Sequence, residues 1–159
     1  MILHFRSATP TDADSASDVY LRSRKELVAC APLAHSDDAV REWIRRTLIP
    51  AGRTTLATVD DRVVGLLALS ERSGSGWIDQ LYLLPEWVRC GIGSRLVERA
   101  RNELAPPIRL YTFQCNRPAR RFYERHGFEA IAFGDGSCNE EGCPDILYEW
   151  RPPSPSVHA

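Results

Sequence analysis

The sequence predicts one α/β domain, and three observations carry that expectation. Strand-like and helix-like patterns alternate along the chain without an internal repeat or a long linker. An apolar stretch at residues 77–84 runs through a glycine turn directly into an amphipathic helix beginning near Ile92. The 159 residues, 43% of them hydrophobic, suit a single core of ordinary dimensions.

The elements follow in order. Residues 3–6 alternate as a short strand does, and Thr11, Asp12 and Asp14 then supply the cap and first-turn groups of a helix reaching about Leu27. Ser36 caps a second helix whose Val40, Trp43, Ile44 and Leu48 fall on one face, and Pro50 ends it. Residues 54–59 and 63–69 read as strands joined by a hairpin turn at Asp60 and Asp61. The run Ser73-Gly74-Ser75-Gly76 breaks the chain before the strand at 77–84. Beyond the glycine turn, Ile92, Leu96, Val97, Ala100 and Leu104 mark the buried face of a helix that Pro106 and Pro107 terminate. A strand at 108–114 leads into a short helix opened by Arg117-Pro118 and closed at Gly127, where a left-handed cap is wanted. Strands at 128–133 and 146–150 complete a domain over residues 1–150, and residues 151–159 read as a flexible Pro/Ser tail. An exposed strand edge near Trp150 leaves room for a homodimer.

The glycine turn carries the first functional signal. Gly91 and Gly93 remove side chains where backbone N–H groups must approach an anion, and the following helix presents its unpaired donors and positive dipole end. The turn is a pyrophosphate cradle. A nucleotide P-loop would end in Gly-Lys-Ser/Thr, but this turn ends Gly93-Ser94-Arg95. A dinucleotide fingerprint would place a third glycine where Leu96 stands. Both families are excluded.

Lys+Arg 20 against Asp+Glu 21 leave a net charge of -1, which offers no general field for nucleic acid or an anionic membrane. No apolar run approaches the ~20 residues of a membrane span, and the amino terminus lacks a signal-peptide layout. The cytoplasm is the expected compartment. The five cysteines, Cys30, Cys90, Cys115, Cys138 and Cys143, are odd in number and scattered, which argues for reduced thiols. Cys138, Cys143 and His126 lack a second ligand pair at zinc spacing, so no metal site is expected. Cys90 lies in the anion-binding turn beside Arg89, a setting in which a thiol reacts with alkylating reagents.

Two motifs in sequence resemble a known family. Val88-Arg89-Cys90-Gly91-Ile92-Gly93 is similar to the Q/R-x-x-G-x-G/A turn of the Gcn5-related N-acetyltransferase (GNAT) family. Val88 departs from its first position, and Arg89, one place along, supplies charge instead. Asn116, Ala119, Phe122, Tyr123, Gly127 and Phe128 then match that family's N-x-x-A-x-x-F-Y-x-x-x-G-F element. The likeness spans residues 77–150. Within it, Thr112-Phe113-Gln114 and the run from Arg120 to Phe128 look like a bacterial subgroup whose acceptor is unassigned.

The resemblance implies a mixed, mostly antiparallel sheet of about seven strands, splayed between the fourth and fifth, with about four helices on both faces. Acetyl-CoA would insert there, without a metal. Leu81, Tyr82 and Leu83 would pair with the pantetheine amides, the N–H groups of Arg89, Cys90, Gly91, Ile92, Gly93 and Ser94 would hold the diphosphate, and Asn116 would bond the cofactor or lock the splay. Tyr123 is the implied acid for the departing thiolate, since a phenol of pKa ~10 stays protonated at neutral pH. A packed core aromatic is the alternative reading of Tyr123.

The proton acceptor for the incoming amine is less marked. Asp79 alternates with Leu81 on the same strand and is the favoured base, with Glu26, His35 and Glu86 as other candidates, each of which also suits a solvated or capping role. His126 is expected to be a helix-end cation. The acidic loop holding Asp135, Glu140, Glu141 and Asp145 would attract a cationic amine acceptor, or simply be a solvated turn. Tyr20, Trp43 and Trp87 are channel walls or core aromatics. The function implied is acetyl transfer from acetyl-CoA to a primary amine, of a small molecule, by direct attack in a ternary complex. A non-catalytic acyl-CoA-binding module and a protein or peptide acetyltransferase are the alternatives.

Overall fold

Asp12 fixes the entry to the fold. Its carboxylate accepts two hydrogen bonds from the Arg6 guanidinium (2.8 and 2.9 Å) and one from the Thr9 N–H (2.8 Å) in the computed structural model, which describes residues 1–154. These bonds pin the end of β1 (Leu3–Ser7) against the start of α1 (Ala13–Lys25). Ser36 caps α2 (Asp37–Trp43) by accepting from the Ala39 N–H at 3.2 Å. A π-helical turn, Ile44–Leu48, prolongs α2 toward Pro50.

Tight turns then build a meander. Asp60 and Asp61 adopt positive φ (48° and 66°), as a two-residue hairpin requires, and join β2 (Thr54–Val59) to β3 (Arg62–Arg72). Ser73 and Gly74 (φ 53° and 77°) do the same between β3 and β4 (Ser75–Leu83). The expected break at residues 73–76 is thus a hairpin turn, and both strands outrun the apolar alternation because their tips are solvated. After α3 (Ile92–Glu103) come β5 (Ile108–Phe113), α4 (Arg117–Arg125), β6 (Glu129–Gly134) and β7 (Asp145–Trp150). Of the expected tail, residues 155–159 lie outside the described residues.

The seven strands form one sheet in the order β1-β2-β3-β4-β5-β7-β6. Every pairing is antiparallel except that of β4 with β5. Successive strand residues point to opposite faces, so the unbroken burial of β2 and of residues 64–69 in β3 means both faces are covered. Both α1 and α3 pack against β3 and β4. Residue 150 lies inside the sheet, because β7 is paired on both sides and Trp150 sits opposite Ile108 of β5. The free C-terminal edge is β6, which exposes Ile131 and Phe133. The edge predicted near Trp150 is therefore one strand further out, because the last strand in sequence inserts between its predecessors.

The parallel β4–β5 pair is short. Only Gly76↔Ile108 and Trp77↔Arg109 pair, after which the strands part. The β3–β4 register explains where. Leu69 lies opposite Ile78 and Ala68 opposite Gln80, so Asp79 is the extra residue of a β-bulge, which bends its strand.

The Asp12 contacts have a pH signature. Arg6 holds the Asp12 carboxyl well below its ordinary 3.8 despite partial burial, so its stabilisation is complete above that value and is lost as pH falls toward the lowered folded value. Asp12→Asn should cost about 1 kcal/mol at neutral pH, discounted because Arg6 is partly solvated. Urea denaturation should show the gap between variant and parent narrowing as pH drops below 3.8; a constant gap would exclude the ion pair as its source.

Candidate active site

Past Trp77 the diverging strands open a cleft of about 1630 Å³. Leu81, Tyr82 and Leu83 line it, and their strand is paired on the β3 side only, opposite Leu67, Leu66 and Gly65. The backbone N–H and C=O groups on the β5 side are therefore free to bond an extended ligand, as a missing strand would.

The glycine turn closes one end of the cleft. Arg89 and Gly91 adopt left-handed conformations (φ 63° and 83°), and Gly91 caps α3. The N–H groups of Ile92, Gly93 and Ser94 then occupy the first helical turn, where no intrahelical acceptor exists. A Cβ on Gly93 would stand 3.2 Å from Phe122, so this glycine lets α4 close against the turn. Arg89, Gly91, Gly93 and Ser94 all line the cleft. Ile92 has a buried side chain and can offer only its backbone, while Cys90 is exposed beside the cleft with Sγ 3.6 Å from the Val88 carbonyl.

Two cations here escaped the sequence reading. Arg121 and Arg125, one helical turn apart on α4, line the cleft with the glycine turn. Their i, i+4 spacing was visible, but nothing in the sequence aimed that face of α4 at the turn. His126 corrects an expectation. Burial, with Arg101 and Arg125 adding to it, pushes its pKa below the ordinary 6.5, so it is a neutral ring and not a helix-end cation. Its Nε2 lies 3.0 Å from Ser94 Oγ and ties the end of α4 to the start of α3.

Both ends of α4 position Tyr123. Asn116 Oδ1 accepts from the Ala119 N–H at 3.3 Å, so this side chain caps the helix and keeps its amide N–H groups for a ligand. At the other end Gly127 (φ 84°) allows Phe128 N–H to reach the Tyr123 carbonyl (3.0 Å) and Gly127 N–H that of Glu124 (3.1 Å). Between them the Tyr123 ring packs on Phe122 and Phe128 at 5.1 and 5.7 Å and still borders the cleft. Burial raises its phenol above the ordinary 10.0, so it stays protonated.

The end of α1 and the residues just after it also line the cleft, through Tyr20, Ser23, Glu26 and Leu27, as does Asp79 of β4. The Asp79 carboxylate accepts from Arg72 at 3.1 Å, and that guanidinium lies 4.3 Å over the Trp77 ring. Tyr20 packs on Tyr82 at 4.9 Å with Trp43 behind it at 6.1 Å, so Tyr20 is wall and Trp43 its support. Trp87 is packed against the core. Glu86 is engaged by Arg22 and Arg62, away from the cleft. In the acidic loop, Glu141 and Asp145 border the cleft, with Asp145 accepting from Asn139 at 3.1 Å. Glu140 lies outside it and bonds His35 Nε2 at 2.8 Å.

Cys30 and Cys115 form a disulfide across 85 residues, with Cα atoms 6.2 Å apart. The expectation of five reduced thiols is corrected to three, Cys90, Cys138 and Cys143. An odd cysteine count cannot exclude one pair, and the juxtaposition arises only when the α1–α2 segment folds over the end of β5.

Comparison with solved structures finds the same fold repeatedly. The apo-form YjaB solution structure from Escherichia coli superposes with a TM-score of 0.75 at 21% identity, over 94% of this chain and 97% of that one. The PaiA N-acetyltransferase of Thermoplasma acidophilum, in complex with coenzyme A, gives 0.72 at 21% identity, over 94% and 100%. A GCN5-related N-acetyltransferase structure from Rhodopseudomonas palustris gives 0.75 at 20% identity, over 94% and 97%. No curated protein matches the sequence. The family model for the acetyltransferase (GNAT) family matches residues 21–128, two-thirds of the chain, from the end of α1 through α4, and the chain therefore belongs to that acetyltransferase family.

Proposed function

We propose that the chain transfers an acetyl group from acetyl-CoA to the primary amine of a small cationic molecule, by direct attack in a ternary complex. The observation that carries this reading is the unpaired edge of residues 81–83, which lines one cleft with the α3 N-terminus and Tyr123. That edge suits the pantetheine amides, and the first-turn N–H groups of α3 with Arg89, Arg121 and Arg125 suit the phosphates. The coenzyme A complex of the similar PaiA protein supports the donor.

Acetyl-CoA brings an activated thioester, so the protein need mainly position, stabilise charge and move protons. A backbone N–H near Leu83 meets the oxyanion formed on attack. Tyr123 donates its phenolic proton toward the departing sulfur. Asp79, which borders the cleft and accepts from Arg72, takes the proton of the amine directly or through water. Glu26 and Glu141 have no ion-pair partner among the described residues and border the cleft on the α1 side. With Tyr20 they favour a cationic acceptor.

Titration calorimetry should show stoichiometric acetyl-CoA binding; no heat at millimolar cofactor would remove the donor reading. Gly93→Val should weaken that binding at least about tenfold, because the added methyls strike Phe122 and displace the turn. Against a panel of amines followed by thiol release, Tyr123→Phe should lower kcat about 100-fold with acetyl-CoA affinity unchanged. Full turnover in that variant would reassign the acid.

A further inference from the structure

We propose that Cys30–Cys115 is a thiol–disulfide exchange site that clamps the acceptor side of the cleft, opened by a dithiol and closed by a disulfide oxidant. Cys30 lies in the segment between α1 and α2. Cys115 stands between β5 and Asn116, the cap of the helix that carries Tyr123. Both residues are exposed, so the bond is open to attack.

The disulfide is the covalent tie between this segment and the C-terminal strands. The other ties are non-covalent, and Ala31 and Leu33 are packed inward. His35 and Glu140 pair at 2.8 Å with both side chains exposed, and Cys143 Sγ donates to the Cys30 carbonyl at 3.6 Å. Arg24 of α1 donates to the Ala31 and Pro32 carbonyls, and its guanidinium lies 5.3 Å over the Phe113 ring, a non-covalent contact with the end of β5 that remains when the disulfide is cut. Glu26 and Leu27 precede Cys30, and Phe113 and Asn116 flank Cys115, and all four border the cleft. Cutting the bond therefore frees a wall of the acceptor side and leaves the glycine turn untouched.

The exchange balances in two steps. A reductant thiolate attacks one protein sulfur, the S–S bond breaks, and the released cysteine takes a proton. The second thiol of the reductant then displaces the mixed disulfide and leaves as a cyclic disulfide. The protein gains two electrons and two protons; an oxidised dithiol reverses the sequence. That the clamp acts on an acceptor rests on the proposed function, whereas the exchange does not.

Chain equilibrated with an oxidised dithiol and then denatured should titrate three thiols, rising to five after a reduced dithiol, and peptide mapping should join Cys30 to Cys115. Five thiols in the oxidised sample, or Cys30 joined to Cys143, overturns the proposal. Hydrogen exchange across residues 27–36 should quicken at least about threefold on reduction while α3 is unchanged. Cys30→Ser should match the reduced chain and ignore the dithiol. Equal exchange in both redox states overturns the clamp. Coenzyme A affinity should agree within about twofold between the two states. A large fall on reduction overturns the assignment to the acceptor side, and no binding in either state overturns the donor reading alone.

Discussion

The early end of the parallel pairing between β4 and β5 is the constraint on which the site depends. Two residue pairs hold the strands together, and the bulge at Asp79 then turns β4 away. A flat continuation would have consumed the backbone groups of residues 81–83 in a ladder. Their loss costs stability unless an extended ligand or water satisfies them, so the fold holds a strand-shaped vacancy in its centre. Asp79, the bulge residue, borders the cleft.

Around that opening the protein uses backbone geometry before side-chain charge. The first turn of α3, set by the left-handed Gly91, presents its donors without a lysine. The chain is near neutral overall, yet Arg89, Arg121 and Arg125 line the same cleft as the turn, with Arg24, Glu26, Asp79 and Glu141 also bordering it. The two ends of α4 serve the same purpose. Asn116 caps one, the Gly127 turn closes the other, and His126 fastens the helix to Ser94, so Tyr123 is held at three points.

Much of this was legible in the chain. Element order followed from periodicity and caps, because Ser36, Asp60-Asp61, Gly91 and Gly127 act locally and their partners lie within a few residues. The glycine turn and the helix it opens were legible for the same reason, since a turn and a helix start are continuous in sequence. Long-range contacts were less so. The polarity of Glu140 was visible but not its pairing with His35, and the position of His126 was visible but not the burial that keeps it neutral. Cys30 and Cys115 looked like unrelated thiols until the α1–α2 segment crossed the end of β5.

The sequence by itself determined the α/β order, the glycine turn that opens α3 and the acetyltransferase signature, because each is written in neighbouring residues whose spacing dictates local geometry. Only the tertiary structure decided the Asp79 bulge, the insertion of β7 between β5 and β6, the arginine face of α4 and the disulfide joining the α1–α2 segment to the end of β5. Those depend on which distant surfaces meet when the core closes. Register and packing are properties of pairs of segments, and no single segment encodes its partner.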